Sequence, residues 1–429
     1  VKVWVNSATL TIGESIHKYR REAEMTLAQL SELSGIHKGT ISRIENGEVK
    51  RPGFETIRPL AASLGIPFED IVERYIEIEK RADSLYTILL EAVPTGDSGL
   101  ISKVAVKFLE SPSEDTYCLV QRLYELADAI EDRKIRLLLY TLITNYSRDH
   151  GMMPFLAKGL LQTYFIARDD FSKLEATYQD GRHILHYTNF LSDEEKLAFH
   201  YKLGVHAYNL MRYEECVELC EYIIHNDPTR SEVKAKTLYL LGLAHEHLGD
   251  YEKWEYYLQE YGTYNHPGVE ENRKVTTAIV KSRTDEIKSA ISVLEELLPQ
   301  VEDKNFIIIL TRLFEIYLET NDQHAILELL KYEERLATIP VGTPITQLHK
   351  AYFYRLKQLA FITSDFDMAM ESCRISAQEY AKISRFDQVF ECLSIISKEL
   401  LKNKGLVHDE NIRKIDMLYD ELRDYGKEE

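Results

Sequence analysis

The sequence predicts an all-α protein in two parts, a small N-terminal helix-turn-helix domain followed by a long array of paired helices. Three observations carry this. Apolar residues at helical spacing fill the first 65 positions and are broken by a sharp glycine turn at Gly35. From residue 100 onward there is almost no alternating strand pattern, and amphipathic segments follow one another with short breaks. The breaks resemble each other and return at an offset of about 38 residues.

Composition sets the outer bounds. The 429 residues are 45% apolar and 28% charged, as expected of a soluble globular protein with more than one core. No apolar run reaches the ~18–20 residues of a membrane span, and Val1–Leu10 does not read as a signal peptide. Cytoplasmic location without a membrane partner is therefore expected. Five scattered cysteines, an odd number, argue against a disulfide framework and for a reducing compartment. The net charge of −18 is uneven: residues 1–67 hold nine Lys/Arg against seven Asp/Glu, a net of +2, which leaves −20 for the other 362. An acidic body repels nucleic acid, so any contact with DNA falls to the small basic module.

That module reads element by element. In IGESIHKYRREAEM (12–25), Ile12, Ile16 and Tyr19 recur on one helical face. Thr26 with Gln29 forms a capping-box pattern for a second helix, LAQLSELS, whose Leu27, Leu30 and Leu33 are expected inward. Small Ser31 suits a close helix crossing, Gly35 supplies a left-handed turn, and Ile36 should bind the two helices together. In the third helix Ile41 and Ile44 face inward, while Lys38, Gly39, Thr40, Ser42 and Arg43 are left for a ligand. A helix projected in this way fits the major groove with its first residues at base edges. Arg43 suits bidentate contact with guanine, the free amides at Thr26 and Leu27 suit a phosphate, and Lys50 and Arg51 suit the DNA backbone. The stretch from Thr26 to Ile66, with ISRIENG and a helix from Phe54 to Leu64, resembles the Cro/C1-type domain. The domain is placed at residues 10–67. Residues 68–99 are read as a linker, with one long helix from Pro67 to about Val93, which either connects the head to the body or is a core helix of the head, and a loop, VPTGDSG.

The body, 100–429, is read through five related segments: 158–176, 202–228, 239–262, 310–330 and 352–373. Each contains a break of the form Arg-Tyr, Asp-Tyr, Asp-Phe or Asp-Gln. Leu203, Gly204, Cys216 and Pro228 best match the tetratricopeptide pattern, which the array resembles. The resemblance implies a right-handed solenoid whose concave face, made by the first helix of each pair, suits an extended peptide. In that register Tyr201, Val205, Tyr208, Asn209, Tyr239, Leu243, Glu246, Arg312, Glu315, Tyr354 and Gln358 are the peptide-binding candidates. Asn209 leads them, because an amide offers a peptide backbone both a donor and an acceptor.

A Cro-type head joined to such an array resembles the RRNPP group of peptide-pheromone receptors, and most of all its NprR-type regulators. The resemblance implies a quorum-sensing transcriptional regulator with operator DNA, a short signalling oligopeptide and a homo-dimer or higher oligomer as partners. It also implies an alternative, an adaptor that binds a response regulator of the sporulation phosphorelay. Cys216 and Cys220, four apart, are read as packing residues, and His245 and His247 as surface or packing residues, none of them as metal ligands. No catalytic motif is present in the sequence, so neither an enzyme nor a cofactor is expected.

Overall fold

Capping chemistry starts the first helices where the sequence places them. In α1 (Ile12–Glu22), Thr11 and Glu14 form a capping box. In α2 (Leu27–Ser34), Thr26 and Gln29 form another, and Gly35 ends the helix at φ +70°. Next come α3 (Lys38–Glu45), α4 (Phe54–Ser63) and α5 (Phe68–Ile76). Ile16, Leu30, Ile41 and Ile57 are wholly buried between them. Leu33 departs from expectation: it is 62% exposed, because Leu27 and Leu30 already fill the inner face of this two-turn helix. The computed structural model describes residues 11–284, 286–340 and 342–425, so the expectations for Val1–Leu10 and for the extreme C-terminus lie outside the described residues.

The expected single helix from Pro67 to about Val93 is instead two, α5 and Ala82–Ala92. Glu79 sets the break. Its carboxylate accepts the backbone N–H of Lys80 (2.8 Å) and of Arg81 (2.9 Å) and the guanidinium of Arg81. A side chain that satisfies these amides locally removes the reason to continue the helix. The first of the two helices is part of the head's own core: Ile71, Val72 and Tyr75 are buried, and the Tyr75 ring meets Phe54 edge-on at 5.0 Å.

By compactness the chain divides into two units. One runs to Ile166 and includes Tyr187–Leu191, and the other holds Ala167–His186 and the chain from Ser192. In the first, a continuous apolar core extends from α1 to Ile166 and takes in the helices Ser98–Leu109, Thr116–Ala129 and Arg133–Asp149.

The second unit is a helical repeat array, with no strand among the described residues. Its pairs are Asp193–Asn209 with Tyr213–Asn226, Glu232–His247 with Tyr251–Gly262, Val269–Lys281 with Ile287–Leu297, Asp303–Glu319 with Gln323–Leu329, and Pro344–Phe361 with Phe366–Ala381. The recurring break has a physical cause. Asp250, Asp322 and Asp365 each cap the second helix of a pair through a backbone N–H three residues on. Ahead of two of these caps the chain turns in the left-handed region, at Gly249 (φ +77°) and Asn321 (φ +53°). The Leu-Gly dipeptide lets helices approach: a Cβ on Gly204 would lie 3.0 Å from Cys220 Sγ. Cys216 and Cys220 are buried and fill that contact.

The repeat period also appears in the hydrogen bonds. Tyr178 donates to Glu215, Arg283 to Glu246 and Tyr352 to Glu315, each across 37 residues. Tyr239 and Thr276 are joined across 37 residues, Thr311 and His349 across 38, and Tyr208 and His247 across 39. Equivalent positions of successive repeats therefore touch.

Candidate functional sites

The head presents its third helix as expected of a groove-reading element. Lys38, Arg43, Lys50 and Arg51 are exposed on α3 and the segment after it, and Gly39, Thr40 and Ser42 are half-buried beside them. Thr26 is exposed and Leu27 half-buried at the start of α2. Gly39 has a structural reason that the sequence did not disclose. His37 caps α3 by accepting the Gly39 N–H at Nδ1 (3.1 Å), and a Cβ on residue 39 would sit 3.3 Å from that nitrogen. The imidazole at the helix start thus takes the place of a side chain on residue 39.

A clamp unseen in the sequence fixes α3. Arg20 donates to both oxygens of Glu45, Nε to Oε1 at 2.7 Å and Nη2 to Oε2 at 2.6 Å, and His17 Nδ1 lies 2.9 Å from Oε2. Both ion-pair side chains are under a tenth exposed. Burial raises the Glu45 carboxyl, but the bonds from Arg20 and His17 outweigh it and hold it below its usual 4.5. The acid at the end of the reading helix is thereby neutralised from within, and the exposed cations around it face a ligand without its opposition. Gly13 sets the same crossing, since a Cβ there would run into the Ile44 carbonyl.

Within the second unit, the first helices of successive pairs surround a cavity of about 660 Å3. Tyr201, Val205, Tyr208, Asn209, Tyr239, Leu243 and Glu246 all line it. Its walls are mixed. Val275, Ile279, Ile308, Ile345 and Leu348 give apolar surface, while Lys304, Asn305, Asn272 and His349 add polar groups. Desolvation dominates the titrating groups. Burial pushes Tyr201 and Tyr239 up to about 12 and lowers His349 to about 4, so each is uncharged at neutral pH. Asn209 ends its helix, lines this cavity and also a neighbouring one of about 1240 Å3, and among the described residues its amide makes no hydrogen bond.

Four of the expected residues are not on this wall. Arg312 is held by Ser282, through Oγ at 2.7 Å and the carbonyl at 2.9 Å, and by Glu315, which also accepts the Tyr352 hydroxyl at 2.7 Å. Tyr354 is 4% exposed, and Gln358 is fully buried and donates to the Cys392 carbonyl. The reason is register: Ile345, Leu348 and His349 define the cavity face of their helix, and Tyr354 lies too far around it. Conversely, Thr276, Arg283, Lys304 and Asn305 line the cavity but were not anticipated. They belong to or adjoin the pair beginning at Val269, which lacks the Leu-Gly and Asp-aromatic marks. Counting 37 residues on from Tyr239 and Glu246 reaches Thr276 and Arg283, so a period applied without the motif would have found two of them.

Comparison with known proteins bears first on the head. A helix-turn-helix family model matches residues 16–71. The chain is 35% identical over 94 residues to the HTH-type transcriptional regulator RghRB of Bacillus subtilis, a match covering 20% of this chain and 68% of that protein. It is 38% identical over 78 residues to the HTH-type transcriptional repressor RghR of the same organism, covering 18% of this chain and 58% of the repressor. Among solved structures, PlcR of Bacillus thuringiensis in complex with the peptide PapR7 and DNA aligns with 60% of this chain and 98% of its own, at 18% identity and a TM-score of 0.19.

Proposed function

We propose, from the premise that this chain belongs to the helix-turn-helix transcriptional regulators, that it controls transcription in response to a short oligopeptide bound in its repeat array. The observation that carries this reading is the cavity at which first helices of successive repeats converge. Its volume falls in the ~300–1,000 Å3 range of sites for small ligands, and its mixture of apolar wall and scattered polar groups suits a peptide. The adaptor reading, in which a response regulator docks on the outer face of the array, makes no use of this cavity.

The DNA arm rests on Thr26, Leu27, Lys38, Gly39, Thr40, Ser42, Arg43, Lys50 and Arg51, with Arg43 as the base-reading residue. In this reading the regulator works as a homo-dimer or higher oligomer, because a head of charge +2 attached to a body of −20 grips DNA weakly alone. Peptide binding acts by favouring one arrangement of the heads, to the extent that its affinity differs between arrangements. This is the logic of a quorum-sensing receptor of the RRNPP group, working inside the cell. Calorimetry of the full chain with pools of synthetic heptapeptides, combined with light scattering, tests it. Heat of binding with a change in hydrodynamic size is expected, and the absence of both refutes the reading.

A further inference from the structure

The cavity wall carries cations without an ion pair. Lys236 pairs with Glu232 at 2.6 Å and Arg283 with Glu246, while among the described residues neither Arg168 nor Lys304 has a carboxylate within ion-pair distance. Lys304 differs from Arg168 in standing at a helix start, with the Tyr239 ring 5.6 Å from its Nζ. Of the acids close to it, Asp303 pairs with Arg335 at 3.0 Å and Glu271 accepts from Asn305 at 2.6 Å, while Glu302 is exposed and does not pair with it.

Its place in the helix is unfavourable as well. Lys304 is the second residue of the 17-residue helix Asp303–Glu319, where the dipole opposes a positive charge. That helix start has no side-chain cap, so its first amides are left to another acceptor. The next residue, Asn305, is 3% exposed, and its amide oxygen has no hydrogen-bond partner. Its orientation is fixed, because its nitrogen donates to Glu271 and to Asn272 Oδ1 (2.9 Å), whose own nitrogen donates to Tyr261. An ammonium without an ion pair and uncapped amides therefore meet on one stretch of cavity wall, beside a buried amide oxygen that calls for an N–H of the ligand next to its carboxylate.

We infer that the cavity selects peptides bearing a carboxylate, which sits on Lys304 and the first turn of the helix Asp303–Glu319. The inference rests on the peptide-sensor reading and adds the ligand's chemistry to it. Burial lowers the Lys304 ammonium, with repulsion from Lys236 adding to the effect, and a bound carboxylate reverses that penalty. The carboxylate is that of the peptide's C-terminus or of an Asp or Glu side chain, two sources of the same chemistry.

The test uses the full chain and three random heptapeptide pools: free acid, C-terminal amide, and C-terminal amide without Asp or Glu. Peptides that co-elute with the protein are quantified by mass spectrometry. The pool without any carboxylate should be retained about tenfold or more below the free acid, as loss of a charge-assisted hydrogen bond implies. Retention of the second pool at the level of the first, with Asp or Glu fixed at one position, assigns the carboxylate to a side chain. Lys304→Met should erase the preference, and Lys304→Arg should keep it, which separates charge from folding. Equal retention of all three pools overturns the inference and leaves the sensor reading standing. An undiminished preference in Lys304→Met also overturns it. Retention of no peptide from any pool overturns both.

Discussion

Glu45→Ala should loosen the reading helix by leaving Arg20 buried without its partner. The wild-type pair is bidentate at 2.6 and 2.7 Å, and the two side chains are 3% and 8% exposed. Removing one member of such a pair costs about 3–5 kcal/mol, most of it the desolvation of the charge left behind. At ~1.4 kcal/mol per power of ten, amides of α1 and α3 should exchange with solvent roughly two to four powers of ten faster. Hydrogen exchange read by mass spectrometry on peptides covering 12–22 and 38–45 is the assay. The double variant Arg20→Met/Glu45→Leu removes the stranded charge and should recover to within about 2 kcal/mol of wild type. Acid gives an independent axis. The folded Glu45 pKa lies below 4.5, so the clamp's contribution is complete above 4.5 and is lost as pH falls through the lower folded value. Exchange in Glu45→Ala within threefold of wild type, or a double variant as fast as the single, would refute the reasoning.

Arg43→Ala should abolish retention of the genomic fragments that the wild type binds, with an unchanged melting temperature, since the side chain is exposed; preserved footprints would remove Arg43 from the interface. Gly204→Ala should cost about 1–3 kcal/mol by overpacking against Cys220 Sγ. Gly242→Ala, whose new methyl meets nothing nearer than 3.7 Å, should instead gain about 0.5–1 kcal/mol of helix propensity, and urea midpoints compare the two. His206 is 1% exposed, and burial, aided by Arg168, lowers its pKa to about 4. Unfolding lets it take a proton below about 6.5, so its contribution is complete above that value and declines as pH falls toward 4. Between pH 7 and 5 wild type should lose about 2 kcal/mol more than His206→Gln, and parallel urea titrations would contradict this.

Much of this fold is written in local chemistry, which is why it can be read from the sequence. The capping box at Thr26, the left-handed turn at Gly35 and the Asp caps at residues 250, 322 and 365 act within a few residues of themselves. What could not be read depends on partners distant in the chain. Glu45 gains its meaning from Arg20, 25 residues earlier, and Gly13 from the Ile44 carbonyl. Glu79 breaks a helix that apolar spacing alone would continue, because spacing does not register a carboxylate that captures its neighbours' amides. Seven residues of the marked repeats lie on the cavity wall, whereas Tyr354 and Gln358, a fraction of a turn around their helix, lie in the packing behind it. Lys304 carries no motif at all; among the described residues only the lack of an ion pair and its place at an uncapped helix start mark it.

Ser384 Oγ donates to the Ser172 carbonyl at 2.7 Å, and Arg385 reaches Met211 Sδ at 3.7 Å. These contacts span 212 and 174 residues, within one unit. A stack of repeats ordinarily obeys one-dimensional statistics, in which each repeat knows only its neighbours and fraying at one end goes unnoticed at the other. Here an early and a late loop of the array are joined, with the helices Phe386–Lys402 and Asp409–Tyr425 beyond the join, and the neighbours between the two loops form a circuit. A small rotation at any single repeat must then be absorbed by all the others or break the join. Such a circuit favours a few discrete arrangements over a continuum, so that a change at one point of the wall is registered at the repeats on either side of it.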